Sequence, residues 1–379
     1  MSLSRRKTLA ILGGGFISAA SGAAFAISRT PEAAIAPWAA AGQYDDPRKR
    51  ALSYAILAPN PHNRQPWIVD LSTPNEVALF VDTDRLLPHT DPFSRQIVIG
   101  LGCFLEMFSL AAAQDGFAIE IDLFPLGVDP NKLDARPVAN VRFKEGGEPD
   151  PLFEYVMQRR TLKEPYDTAR IVPDDALAAV LKAARTTRVH GSNEANHVME
   201  LRRLTHDALV IEVETPHTYK ESVDLFRIGR AEVNANPDGI DFSGPLFEAM
   251  HLTRTFTRAS ALDTSSIAFR EGMSAVLANT DTAMAHMWQV TQTNSRADQI
   301  ATGRDWLRLH LAATSHGLGV QPLSQALQEY PEMADLYTQV HQKLAPEGGT
   351  VQMLARLGYG PAVSQSPRWP LEAKIRATG

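Results

Sequence analysis

The stretch Ala58-Pro59-Asn60-Pro61-His62-Asn63-Arg64-Gln65-Pro66-Trp67 decides how the chain is read. Pro59, Pro61 and Pro66 forbid a regular helix or a central strand there. The segment is therefore expected as an irregular loop with a nearly fixed backbone. Asn60, His62, Asn63 and Gln65 line it with neutral donors and acceptors, and Trp67 leads into an apolar strand. Such a loop suits a flat, polar-edged heterocycle better than a phosphate or a metal. A proline-stiffened connection is the plainer alternative.

At 379 residues the chain is long for one hydrophobic core, and two units are expected. It is 44% hydrophobic and 21% charged, with a formal charge of -6. No Lys/Arg-rich run suggests nucleic acid. Cys103 is the single cysteine, which excludes an internal disulfide and a Cys-based zinc site. It lies in the apolar run 97–108 and reads as a buried structural thiol.

Ser4-Arg5-Arg6-Lys7 precedes an uncharged stretch, 9–27, that carries Gly13 to Gly15 and the small-residue triplet Ala24-Phe25-Ala26. A basic start, an apolar middle and small residues at a cleavage point predict an export signal over 1–26. The paired arginines and weakly hydrophobic core predict the twin-arginine route and a periplasmic or cell-envelope location. A membrane anchor is the alternative, and the three glycines argue against it. Residues 27–45 read as a linker.

Asp46 caps an expected helix from Pro47 to Leu57. Strands are expected at 67–71 and 77–82, a strong amphipathic helix at 94–116, and strands at 118–124 and 138–143. The Gly/Pro/Glu-rich stretch 144–151 marks a boundary, so 46–150 and 151–379 are expected as two halves. The second half reads as helices at 152–160, 173–184, 195–214, 305–316 and 332–344, with a strand at 351–357. Residues 217–300 resist parsing beyond helical pieces and polar loops. Residues 109–116 echo 310–317, each ending a long helix at a glycine, which suggests two copies of one fold.

Arg159, Arg160 and Lys163, with Thr161 between them, form a plausible phosphate-binding turn; a basic helix end is the plainer reading. Gly317-Leu318-Gly319 caps the helix and can also let the backbone approach a ligand, since the one reading does not exclude the other. Arg368 stands between prolines, after Ser366. No nucleophile elbow, zinc-protease helix, phosphate-binding loop or dinucleotide fingerprint is present, and the histidines lack metal-ligand spacing.

Together these residues resemble the FMN-dependent nitroreductase superfamily. That family builds its flavin site from a basic Arg-Arg-Ser/Thr-x-Arg/Lys turn, an Ala-Pro-Ser-x-x-Asn-x-Gln-Pro-Trp loop, a Leu-x-x-Ala helix end closed by Gly-Leu-Gly, and a C-terminal Leu-Gly-Tyr segment with a late basic residue. Here they correspond to 159–163, 58–67, 309–319, and Leu357-Gly358-Tyr359 with Arg368. The twin-arginine start and tandem halves look most like the Acg-type, fused members. One departure is that Asn60 stands where the family has Ser. The order also differs: the loop lies in the first half, and turn, helix end and tail lie in the second.

The resemblance implies an α+β, nitroreductase-like fold of two fused halves, an intramolecular pseudo-dimer acting as a monomer, with one composite FMN site. Arg159, with Thr161 or Arg368, would hold the phosphate, and Lys163 would sit at the pyrimidine edge. Backbone groups of Gly317 and Leu318 would face the ring. Asn60, Pro61 and Asn63 would cover it from the other half, and Arg160, Ser366, Gly319, Pro59 and Gln65 complete the expected cofactor-binding set. The symmetry-related site, lacking such a turn and loop, is expected to be empty. The implied activity is FMN-dependent electron or hydride transfer to a small electron-poor acceptor, such as a nitroaromatic or quinone, with the donor unassigned. The alternative is an exported flavin-binding or flavin-sequestering protein with little turnover.

Overall fold

The computed structural model describes residues 30–376; the expected signal, 1–26, lies outside them. In the first half come helices α1 (Glu32–Ala40) and α2 (Pro47–Ala55), strands β1 (Trp67–Asp70) and β2 (Glu76–Val81), helix α3 (Arg95–Gln114), and strands β3 (Phe117–Leu123) and β4 (Ala139–Glu145). The strands pair antiparallel in the order β1-β2-β4-β3. β2 buries Val77, Leu79 and Val81 on alternate positions, as its pattern requires. Asp46 accepts from Arg48 N and Pro47 opens α2 at no cost in hydrogen bonds.

The second half contains α4 (Asp174–Leu181), β5 (Arg188–Ser192), α5 (Ala195–Glu214), α6 (Pro216–Asp224), β6 (Phe226–Ile228), α7 (Gly229–Ala235) and β7 (Ile240–Phe242). It continues with α8 (Pro245–Leu252), α9 (Arg258–Leu262), α10 (Ile267–Asp281), β8 (Ala285–Thr291), α11 (Arg296–Ser315), β9 (Gly319–Pro322), α12 (Ala334–Leu344) and β10 (Thr350–Gly358). Its main sheet is again antiparallel, in the order β5-β8-β10-β9. The two sheets have the same order relative to their helices. The chain is therefore two halves of one α+β fold, as the repeated helix ending suggested.

The halves meet along α3 and α11, both 20 residues long. Gly102 and Gly303 occupy the same position in their respective helices. A Cβ on Gly102 would overlap the Ile300 carbonyl oxygen and lie 2.9 Å from the Gly303 Cα. One on Gly303 would overlap the Ile99 carbonyl and lie 2.8 Å from the Gly102 Cα. The backbones touch directly, and one continuous core including Phe104, Phe108, Trp306 and Leu309 surrounds the crossing. The composition and length of α3 would suit a membrane span, but here it is the core helix.

Three expectations change. The presumed linker 27–45 contains α1, held because Trp38 is buried and Ala34 N bonds Asn234 Oδ1 at 3.1 Å. The expected helix 152–160 is only a 3-10 turn, Pro151–Tyr155. Gln158 N and Arg159 N both return to Tyr155 O, which ends the helix and turns Arg159 inward. The unparsed region 217–300 holds the separate aromatic cluster of Phe226, Phe256 and Phe242, and then β8, whose seven residues are all buried. A strand covered on both faces shows no alternation, and His286 and Gln289 hid its apolar character.

Because no methyl fits at the crossing, Gly303→Ala is expected to destabilise the fold by about 3 kcal/mol. A thermal-unfolding midpoint equal to that of the native chain would refute direct backbone contact between α3 and α11.

Candidate functional site

The loop that follows α2 has three non-glycine residues in the left-handed region: His62 (φ 45), Asn63 (φ 50) and Gln65 (φ 50). Each such residue costs on the order of 1 kcal/mol or more and persists only where its surroundings hold it. Asn60 Oδ1 accepts from Gln65 N at 2.7 Å, and Asn60 Nδ2 donates to Ala58 O at 3.2 Å. The fully buried Gln65 side chain donates to Pro237 O at 2.7 Å and accepts from Trp369 N at 2.9 Å. Asn60 and Pro61 also rest on Gly100 of α3, where a Cβ would come within 3.1 Å of Asn60 Cβ. Local prolines stiffen the loop, and the C-terminal tail locks it.

Arg368 forms much of that lock. Its Nη1 donates to Asn63 Oδ1 (2.6 Å), Ser366 Oγ and Pro367 O (both 2.8 Å), and its Nη2 donates to Leu57 O and Ala58 O. Arg159 reaches the same carbonyl, Nη2 to Leu57 O at 3.3 Å. Arg160 lies 4.5 Å over the Trp38 ring, and Arg368 lies 5.8 Å from it. Among the described residues, none of these three guanidiniums pairs with a carboxylate.

Arg159 Nε and Nη1 and Arg368 Nε are buried without partners. Burial, then the Arg160 charge, lowers the Arg159 pKa to about 10; burial, then Arg159 and Arg160, lowers that of Arg368 to about 9. Three crowded cations with spare donors define an electropositive site suited to a phosphate-like anion. By contrast, Arg304 and Arg308 bond Glu106, and Arg308 and Arg185 bond Asp150.

The other expected residues border the same region. Thr161 bridges Val320 through the backbone. Lys163 is solvent-exposed yet walled by protein, which lowers its pKa against the opposing pull of Asp241. His62 faces the same space: burial first, then Lys163 and Arg64, lowers its pKa to about 4, so its imidazole is neutral at pH 7. The cap reading holds for Gly317 and Leu318. Their amides donate to Thr314 O and Ala313 O, so both are committed to the α11 cap. Gly319 instead admits Leu162, because a Cβ there would overlap Leu162 Cδ2.

Residues not expected at the site are Trp38, the Leu57 and Ala58 carbonyls, Asp241, and His310, whose Nε2 lies 2.9 Å from Arg160 O. Backbone carbonyls carry no residue-type signal. Trp38 sat in an alanine-rich stretch with no motif around it.

No protein-family model matches the chain. It is 30% identical over 169 residues to the "Putative NAD(P)H nitroreductase acg" of Mycobacterium tuberculosis, a match that covers 38% of this chain and 50% of that protein. The chain thus spans about half the length of that relative. A second "Putative NAD(P)H nitroreductase" of the same organism is 25% identical over 354 residues, covering 86% of this chain and 92% of the relative. Both are nitroreductases by name. Among solved structures, the FMN-dependent nitroreductase NfnB of Mycobacterium smegmatis in complex with NADPH is 17% identical, with a TM-score of 0.36 over 60% of this chain and 98% of that one. A nitroreductase-named protein of Anabaena variabilis is 11% identical, with a TM-score of 0.39 over 80% and 82% of the two chains.

Lys374 ties the tail to the loop, Nζ to Gln65 O at 2.7 Å. Burial, then the Arg85 charge, presses its pKa from the usual 10.5 to about 7. Below pH 7 the lysine is protonated in both folded and unfolded chains, and the burial penalty is fully present. Between pH 7 and 10.5 the unfolded chain binds more protons, so stability from this group rises with pH. The thermal midpoint of the native chain, measured relative to Lys374→Met, is expected to climb from about pH 7 to pH 10. A pH-independent difference between the two proteins would contradict the depressed pKa.

Proposed function

We propose that this chain is an FMN-dependent oxidoreductase of the nitroreductase type, with one flavin site composed from both halves. The observation that carries the reading is the trio Arg159, Arg160 and Arg368, buried or half-buried, with spare donors and no carboxylate. A terminal phosphate supplies the negative charge that this cluster lacks. The nitroreductase names of the relatives, one matching along most of the chain, support the same assignment.

In this reading Arg159, Arg160 and Arg368 grip the phosphate, with Ser366 orienting Arg368 through its 2.8 Å bond. Lys163 lies where a cation stabilises negative charge on a flavin's pyrimidine edge. Asn60, Pro61 and Asn63 are held by Gln65 and the tail so that the first half covers the ring and excludes water. Bound FMN supplies the electron or hydride transfer, so no protein nucleophile is required. A small electron-poor molecule such as a nitroaromatic or quinone is the acceptor; NAD(P)H, named in the relatives, serves as donor in an assay, and because it is scarce outside the cytoplasm an exported chain takes its electrons from another reductant. The segment after α6 reaches the loop, Gly239 N to Asn63 O at 3.4 Å, a cover that also favours a flavin-sequestering protein with slow turnover.

The purified protein is expected to be yellow, to sediment as a monomer and to carry one FMN per chain. Arg159→Met and Asn63→Ala, in different halves, should each weaken FMN binding about tenfold or more. A chain that cannot be loaded with FMN rejects the reading. Loss confined to the Arg159 variant rejects the composite site. NADPH oxidation coupled to a nitroaromatic separates the oxidoreductase from the sequestering protein.

Export by the twin-arginine machinery to the cell envelope is proposed from Arg5, Arg6 and the glycine-rich stretch after them. A reporter fused to residues 1–30 should reach the periplasm through that machinery and fail to do so when both arginines are changed to lysine. Equal export of the two fusions would overturn the assignment.

A further inference from the structure

The interior of β10 holds an arginine that stands outside the phosphate cluster. Arg356 is fully buried, and its hydrogen bonds go to four neutral oxygens. Nε donates to Gln321 Oε1 of β9 at 2.6 Å, and Nη1 donates to Thr282 Oγ1, just past α10, at 3.3 Å. Nη2 forks between two carbonyls, Glu164 O at 2.8 Å and Leu162 O at 3.3 Å. Those carbonyls belong to the residues on either side of Lys163. The Tyr166 ring covers the guanidinium, with its centroid 3.8 Å from Cζ. Burial lowers the Arg356 pKa to about 10, against the opposing pull of Tyr166 and Glu164, so the group is charged at pH 7.

A buried guanidinium without a carboxylate costs stability that an apolar side chain of similar volume would not. An apolar side chain, however, cannot hold carbonyls at fixed angles, as the planar fork of arginine does. The turn around Lys163 depends on that grip. On one side Thr161 bridges Val320, and Leu162 N donates to Val320 O at 3.0 Å. On the other, Tyr166 N donates to Thr282 Oγ1 at 2.9 Å and Asp167 N to Tyr359 O at 2.7 Å. Lys163, Glu164 and Pro165 lie exposed between these anchors. Among the described residues, Arg356 is the group that bonds the Leu162 and Glu164 carbonyls. Leu162 and Tyr166 pack inward, since a Cβ on Gly319 would overlap the first and one on Gly358 the second. With both flanking carbonyls pinned from inside, the Lys163 side chain is left facing outward.

We infer that Arg356 is a positioning residue for the candidate site, fixing the 162–164 backbone so that the Lys163 ammonium is held in one place. The inference rests on the flavin reading, in which Lys163 stabilises negative charge on the pyrimidine edge and so favours the reduced cofactor. Arg356 acts through the backbone of Lys163 and not through its own charge, which faces the carbonyls and the Tyr166 ring. A lysine at 356 would keep the charge and lose the fork.

The test is a double-mutant cycle on the full chain loaded with FMN, read as the two-electron potential of the bound flavin. Lys163→Met and Arg356→Met should each weaken the preference for reduced over oxidised FMN about tenfold, a fall of about 30 mV. In the double variant the fall should equal that of Lys163→Met alone. Additive falls overturn the inference, because Arg356 would then act by its own charge. An unchanged potential in either single variant overturns it too, and leaves Arg356 a structural residue only. Should Arg356→Met fail to fold, Gln321→Leu, which frees Nε, replaces it in the cycle; a smaller fall supports the inference and none overturns it. If the native chain takes up no FMN, the flavin reading fails by itself, and hydrogen exchange of the ligand-free chain decides the positioning role. The amides of Leu162, Tyr166 and Asp167 should then exchange about tenfold faster in Arg356→Met, with those of β8 unchanged. Equal exchange at the three amides overturns the role, as does acceleration spread through β8.

Discussion

Two helices meet where neither carries a side chain. Gly102 on α3 and Gly303 on α11 let the backbones touch, and any larger residue would meet a carbonyl oxygen. This contact brings the two four-stranded sheets into one molecule and sets the distance between the halves. Everything at the candidate site inherits that distance. The loop after α2 rests on Gly100, two residues before the crossing, and Arg160 O lies against His310, seven residues after the other glycine. A change in helix separation would shift one half of the site relative to the other.

The second constraint is the exchange of segments between halves. The tail leaves β10, crosses to the first half and pairs Ile375 with Val69 beside β1. On the way it delivers Arg368 to the loop carbonyls and Lys374 to Gln65 O. In return the first half contributes Trp38, under the guanidiniums of Arg160 and Arg368. Three left-handed non-glycine residues in one loop would relax if free. Here hydrogen bonds from residues some 300 positions away oppose that relaxation. The strain and the lock together present a fixed polar surface.

Two sets of arginines differ in their partners. On the one hand, Glu106 and Asp150 pair with Arg185, Arg304 and Arg308. On the other, Arg159, Arg160 and Arg368 crowd one another without a carboxylate, which costs stability that an anion would return. One set is sealed by salt bridges and the other left electropositive.

Local chemistry was legible in the residues. Asp46-Pro47 announced α2, the spacing of Ile97, Leu101, Phe104 and Phe108 announced α3, and three prolines announced an irregular loop. The matching ends of α3 and α11 disclosed the duplication, and the basic turn and Arg368 were legible as candidates for an anion site. These signals are short-range and follow from backbone preference and side-chain period. Other features depended on contacts between distant segments. The role of Trp38, the burial of β8 on both faces and, among the described residues, the absence of a carboxylate paired with Arg159 came only with the tertiary structure. Which donors remain unpaired is a property of the whole surroundings, and no sequence window contains those surroundings.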